Sequence, residues 1–316
     1  MTANADVSVV IPTKDRWHLV PRAASSALAQ LDVRVEVIVV DDGSRTQSPS
    51  ELPGSREGRL RLLRHERPEG QARARNTGIA AARGEWVAFL DDDDLWAPDK
   101  LRAQLEAARE ALAVFAYSGV LLVDQQLRPI EVVSPPDPGS LLPVLLRSNR
   151  IPGGASTVIA MTEVVRAVGC WDEQLTVLSD WELWIRLALA GRAAAVTEPM
   201  AAYVQHDGVS SRASWAEVQA QTEYIAHKHS GAFARHRAVP DRATFRWYAA
   251  WLQDRSGARG AAARGYVLAA QYYLRQGNRR SALDSLTDAR DVLLGKHRTL
   301  TGQRTTFDPA WLKAYA

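Results

Sequence analysis

Four consecutive aspartates, Asp91 to Asp94, follow the apolar run Trp86-Val87-Ala88-Phe89-Leu90. Carboxylates roughly 4 Å apart repel by ~1 kcal/mol per pair in water and ~4 kcal/mol at an effective dielectric of ~20. A buried strand that ends in so much negative charge wants a cation. Carboxylate oxygens suit hard divalent ions such as Mg²⁺ or Mn²⁺, which in turn hold phosphate groups. A second reading stays open from these residues alone. Pro98, Asp99 and the run to Ala113 look like a helix start, and acidic side chains favour that end of a helix.

The aspartates matter only if the elements around them bring them to one edge. Val7-Ser8-Val9-Val10-Ile11-Pro12 reads as a short strand ending in the turn Thr13-Lys14-Asp15-Arg16. Val35 to Val40 reads as a second strand, followed by Asp41-Asp42-Gly43-Ser44, and Leu19 to Leu31 between them has helical spacing. This is a β-α-β unit with parallel strands. Leu60 to Arg64 and Trp86 to Leu90 read as a third and a fourth strand. Open parallel sheets bind ligands beyond the carboxyl ends of their strands, and all the acidic tips fall there. The predicted class is α/β.

The 316 residues, 46% hydrophobic and 24% charged, have an ordinary globular composition with room for an α/β domain and something more. Cys170 is the only cysteine; it excludes an intramolecular disulfide and reads as packing. The N-terminal residues carry no basic stretch before the first strand, so no signal peptide is expected. No apolar run approaches the ~18 residues of a spanning helix. The expected location is the cytoplasm, with peripheral contact to the inner face of a membrane left open.

The net charge of +3 hides an asymmetry. Residues 1–211 hold 22 Lys and Arg against 28 Asp and Glu, whereas residues 212–316 hold 17 against 8, a surplus of nine positive charges. Domains of 1–211 and 212–316 are therefore expected. The second has helical periodicity over Trp215–Ser230, Ala243–Gln253, Ala261–Gln276 and Arg280–Leu294, with Gly277-Asn278 as a helix stop. The last pair reads as one helical hairpin of the tetratricopeptide kind, and Trp311 as an anchor for the tail. These basic helices are expected to hold an anionic acceptor carrier, to pack on the sheet or to form a homodimer contact. A nucleic-acid partner is disfavoured, because the arginines are dispersed and no recognised motif accompanies them.

Five fragments in order, VSVVIPTKDR, VVDDGS, GQARARNTGIAAARGEWVAFLDDDDLW, VGCWDEQL and LSDWELWIRLALAGR, resemble the family 2 glycosyltransferases. The resemblance runs from about Val7 to Ser211. It implies a GT-A fold, Rossmann-like with a mainly parallel sheet flanked by helices, and here an α-helical region after it. It also implies inverting transfer of a sugar from a nucleotide diphosphate, usually UDP, to an acceptor hydroxyl with Mn²⁺ or Mg²⁺. The acceptor stays open between a glycan, a lipid-linked glycan and a small molecule, related bacterial enzymes commonly building cell-surface polysaccharide. A nucleotidyltransferase would need a glycine-rich basic loop near the N-terminus, which Val10-Ile11-Pro12-Thr13 does not supply.

Residue roles follow from the same resemblance. Asp42 would accept the ring N–H of uracil, which cytosine lacks. Pro12, Thr13, Lys14 and Arg16 would lie beside the nucleoside, Lys14 standing where many relatives carry an aromatic. Arg75 would pair with phosphate. Asp91 and Asp93 match the family's Asp-x-Asp. Asp93 would be the metal ligand, and Asp91 would hold ribose or a water on the metal. Asp92 takes the variable position, and His206 would be a further metal ligand. Gly153 and Gly154 would let backbone approach the donor sugar. Asp180 matches the general base, although Ser179 replaces the glutamate usual before it.

Overall fold

The computed structural model describes residues 5–205, 213–295 and 305–315. The chain forms two compact units, each described by itself. The first contains residues 1–142, 150–204 and 305–316, and the second residues 143–149 and 205–304. Chain order and unit thus part company twice. A short piece near residue 145 belongs with the later helices, and the tail, the last part of the region 212–316, belongs with the sheet.

The first unit is built on nine strands: β1 (Val7–Thr13), β2 (Val35–Asp41), β3 (Leu60–Arg64), β4 (Trp86–Phe89), β5 (Leu95–Trp96), β6 (Phe115–Val123), β7 (Pro129–Val133), β8 (Val158–Met161) and β9 (Ala193–Val204). They lie in the order β3-β2-β1-β4-β8-β6-β9-β5, with β7 paired to β6. The first four strands run parallel. Beyond β4 the sheet is mixed: β8 is antiparallel to β4 and β6, β9 is parallel to β6, and β5 is antiparallel to β9. Parallel order brings the carboxyl ends of β1, β2 and β4 to one edge.

The central strands are apolar on both faces, as strands covered by helices must be. Every residue of β1 and β4 is buried. Helices α1 (Val20–Leu28), α2 (Gln71–Ala81) and α3 (Lys100–Ala111) connect the early strands, and the short α4 (Leu141–Leu145) and α5 (Thr162–Ala167) and the longer α6 (Ser179–Ala190) follow. The division between the units falls within α4. Gly78 lets α2 press directly on β1, for a Cβ there would stand 2.3 Å from Val10 Cγ1. One stripe of α6, Trp181, Trp184, Ile185 and Leu187, is fully buried. The tail returns through Leu312, which is buried among Leu95, Leu121, Val123 and Val204, with Trp311 packed alongside.

The second unit is helical: α7 (Trp215–Lys228), α8 (Ser230–Arg235), α9 (Arg242–Arg255), α10 (Arg259–Arg275) and α11 (Arg279–Leu293). Ala250, Ala262, Tyr266, Ala289 and Val292 form its small core. Asn278 caps α11 by accepting from Ser281 N–H at 3.1 Å. Among the described residues, no helix is long and apolar enough to cross a membrane.

Candidate active site

Two acidic tips meet at the carboxyl edge of the parallel strands. At the end of β2, Asp41 turns inward, where its Oδ1 accepts from Ser44 N–H at 2.9 Å and Arg64 approaches Oδ2 at 3.3 Å. Asp42 accepts three hydrogen bonds: Glu69 N–H at 2.7 Å, Gly70 N–H at 2.9 Å, and the His65 ring Nδ1 at 2.9 Å. The other ring nitrogen of His65 lies 2.9 Å from Thr77 Oγ1. Burial pushes the Asp42 carboxyl up. The Glu69 N–H, the His65 ring and the Gly70 N–H outweigh that effect, and the net shift is below the usual carboxylate range.

The second tip is the segment between β4 and β5. Alternation divides its four aspartates: Asp92 and Asp94 are buried, while the Asp91 and Asp93 side chains keep 22% and 13% exposure. Asp92 accepts from Thr13 Oγ1 at 2.7 Å and from the Arg16 guanidinium through Nε and Nη2. The same arginine donates through Nη1 to Asp93 Oδ2 at 2.8 Å. Asp91 Oδ1 accepts from Arg75 Nη2 at 2.6 Å and from Gln71 Nε2 at 3.3 Å. Asp94 accepts from Ser156 Oγ at 2.5 Å and Val204 N–H at 3.1 Å.

Charge is heavily compensated here. Burial raises the Asp92 carboxyl, Arg16 opposes it, the neighbouring Asp93 and Asp91 reinforce it, and the group is pushed up to about 7. Burial, with Asp93 and Asp91 beside it, also holds Asp94 well above the ordinary range. Arg16 is itself penalised by burial, but the three carboxylates around it raise its pKa further. Arg75 is only 4% exposed and lies 4.3 Å from the Trp171 ring centroid. Asn76 fixes that tryptophan by bonding both its backbone N–H and its carbonyl at 2.9 Å. Trp171 is therefore a buried core residue beneath Arg75. Arg73, two residues earlier on α2, points outward to Glu69 and Glu173.

A third part joins from the turn before β8. Gly153 and Gly154 are both left-handed, at φ 72° and 56°, a conformation that favours glycine. A Cβ on Gly153 would meet Thr157 Cγ2 at 2.7 Å, and one on Gly154 would lie 3.9 Å from Asp180 Oδ2. Asp180 sits in the first turn of α6, where Oδ1 accepts its neighbour Trp181 N–H at 2.8 Å. Leu178, in left-handed conformation, starts this helix without a side-chain cap.

The structure thus brings Thr13, Arg16, Arg75, Asp91, Asp92 and Asp93 into one network and sets Gly154 beside Asp180. Pro12 is a buried member of β1 and Lys14 is exposed. His206 lies outside the described residues. Among those described, no group of three His, Cys, Asp or Glu side chains is arranged to hold a metal ion. The helix-start reading of the four aspartates does not hold: α3 begins at Lys100, and β5 lies between. Sequence reasoning missed His65 and Ser156. His65 follows β3 directly, so the strand-tip rule could have found it; nothing local marked Ser156.

A parallel half carrying acidic tips, joined to a mixed half, is the arrangement of GT-A glycosyltransferases. Similarity narrows this further. The model of Glycosyl transferase family 2 matches residues 8–161. The chain is 35% identical to the succinoglycan biosynthesis protein ExoO of Rhizobium meliloti (strain 1021), over 64% of this chain and 60% of ExoO. It is 31% identical to the UDP-Glc:alpha-D-GlcNAc-diphosphoundecaprenol beta-1,3-glucosyltransferase WfgD of Escherichia coli, over 37% of this chain and 47% of WfgD. It spans less than two thirds of these relatives. The crystal structure of S. aureus TarS 1-349 in complex with UDP shares the fold, with a TM-score of 0.59 at 17% identity over 96% of this chain and 98% of TarS 1-349.

Proposed function

We propose that this chain transfers a glycosyl group from a UDP-sugar to an acceptor hydroxyl with inversion, Asp180 serving as general base. One juxtaposition carries the reading. The Asp180 carboxylate stands beside left-handed Gly154, on the turn whose Ser156 bonds the Asp91–Asp94 segment. A base and a diphosphate-facing tip then flank one backbone-lined space. In the reaction, the acceptor oxygen forms a bond to the anomeric carbon while its proton passes to Asp180. The bond from that carbon to the diphosphate breaks, and its electron pair leaves on the phosphate oxygen. A positioned base contributes roughly 10²–10⁴-fold.

Donor recognition divides between the tips. Asp42, its other acceptor directions taken by fixed N–H groups, has a lone pair left for the uracil N–H. Arg16 and Arg75 bring guanidinium groups suited to phosphate. The carboxylates fit a hard divalent ion, since Asp91 and Asp93 offer oxygen donors that are not turned into the protein. Asp93, Asp91 and His206 would hold Mn²⁺ or Mg²⁺. When bound, the ion would offset charge building on the departing diphosphate. Relatives named for succinoglycan biosynthesis and for a diphosphoundecaprenol-linked acceptor support a glycan or lipid-linked glycan as acceptor.

The test is a panel of nucleotide sugars with Asp180→Asn alongside the parent. UDP affinity is expected to persist in the variant while sugar transfer falls by at least ~10²-fold, and product NMR is expected to show the inverted anomer. Near-normal transfer by Asp180→Asn would assign the base elsewhere.

A further inference from the structure

We propose that Ser156 is a positioning residue that sets the Asp91–Asp94 tip in register with Gly154 and Asp180. This rests on the glycosyl-transfer reading above. Ser156 is 1% exposed, and it engages one chain segment at three places. Its Oγ donates to Asp94 Oδ2 at 2.5 Å and accepts from Asp91 N–H at 3.1 Å. Its carbonyl accepts from Trp96 Nε1 at 2.7 Å. Asp91 and Asp94 lie near the two ends of the connection from β4 to β5, and Trp96 lies in β5 itself, so one residue pins both that connection and the strand that follows it.

The other side of the clamp is equally fixed. Ser156 follows Gly154 by two residues within a single 3-10 turn, Gly154–Thr157. Thr157 Oγ1 donates to Pro152 O at 2.6 Å, and the Thr157 carbonyl accepts from Gln104 Nε2 of α3 at 2.8 Å. Any shift of Ser156 relative to the tip therefore alters the separation of Asp91 and Asp93 from Asp180. The base that deprotonates the acceptor and the tip that faces the donor diphosphate must be aligned across one anomeric carbon, and a displacement of ~1 Å costs on the order of 10²-fold in rate.

Serine suits this place because one small hydroxyl both donates and accepts. Alanine supplies neither function, and cysteine keeps the shape with only a weak donor. Threonine keeps the hydroxyl.

The experiment measures UDP release and transferred sugar together, so that transfer is separated from loss of donor to water. In Ser156→Ala and Ser156→Cys, transfer kcat is expected to fall roughly 10- to 100-fold, with donor KM changed far less. The fraction of donor hydrolysed should rise, and Ser156→Thr should restore the parent partition. A purely structural serine would lower the unfolding temperature and leave the partition alone. Should Ser156→Ala fail to fold, Trp96→Phe removes the carbonyl bond along with part of a buried ring and leaves both Oγ bonds in place; it is expected to shift the partition in the same direction by less. An unchanged kcat and partition in folded variants overturns the proposal. Absence of both transfer and hydrolysis by the parent across the UDP-sugar panel overturns the functional reading and the proposal with it.

Discussion

Asp42 past the end of β2 and Asp92 past the end of β4 are both buried carboxylates, 6% and 1% exposed, yet their acidities move in opposite directions. Burial disfavours the ion in each. At Asp42 the answer comes from two backbone N–H groups and the His65 ring, which are held by the loop whatever else binds. At Asp92 it comes from Arg16, a partly exposed side chain shared with Asp93, against two neighbouring carboxylates that work the other way. Fixed dipoles make the first tip ready before any ligand arrives. The second has its charge balanced by side chains that can turn away. The first arrangement suits reading a neutral N–H, and the second suits exchanging one cation for another.

The sharpest way to break this contrast is at Asp93. If the second tip exchanges Arg16 for a divalent ion, UDP should bind the parent protein far better with Mn²⁺ or Mg²⁺ than with EDTA. Asp93→Ala should erase that difference. Calorimetry showing equal UDP affinity in both conditions for the parent would remove the metal role and leave the arginines as the only counter-charge.

Asp42→Asn probes the other tip and should have a smaller effect. An amide has one acceptor oxygen, so at least one of the Glu69 and Gly70 N–H groups loses its partner. An orphaned buried donor costs about 1–3 kcal/mol, which denaturant unfolding will show. The UDP preference over CDP should narrow as well. The pH dependence has a defined sign. Because the folded pKa of Asp42 lies below its unfolded value of ~3.9, its contribution is fully present above that pH. It is lost as pH falls through the lowered folded value. The stability gap between parent and Asp42→Asn should therefore close on acidification from about pH 6 to about pH 3. A gap that does not change would mean that the carboxylate is not held by these donors.

The early fold could be read from the chain because its signals are local. Val7–Thr13, Val35–Asp41 and Trp86–Phe89 are apolar runs that end in polar tips, and a β-α-β connection has a fixed hand. The later sheet has no such signal. β5 is two residues long, and β9 changes register against β6 around Gly119, so pairings there depend on residues far apart in sequence. The site divides in the same way. Aspartates announce themselves by type, whereas their partners are chosen by topology. Arg16 reaches Asp92 across 76 positions, and Ser156 reaches Asp94 across 62. The return of the tail was legible only through Trp311, an aromatic in a weakly patterned stretch; that Leu312 beside it fills the core is a packing outcome.

The smallest expected effect asks whether the second tip is also balanced from behind. Lys100 begins α3 six residues after Asp94 and is fully buried. Its Nζ donates to Gln104 Oε1 at 2.6 Å and lies 4.1 Å from the Trp96 ring centroid. Burial alone drives its pKa well below the usual lysine value, with no contribution from the aspartates. A lysine that is neutral when folded but charged when unfolded gives the unfolded chain an extra proton between the two pKa values. Stability must then rise with pH up to the unfolded value near ~10.4. Lys100→Met keeps the packing and removes that penalty, while leaving Gln104 Oε1 without its donor. A net gain of ~1 kcal/mol, or roughly 2–4 °C in unfolding temperature, is expected near neutral pH. The upward slope of stability between pH ~7 and ~9.5 should flatten in the variant. A destabilised Lys100→Met with no change in slope would mean that this lysine is charged in the folded protein, and that the carboxylates past β4 already draw on a cation from below.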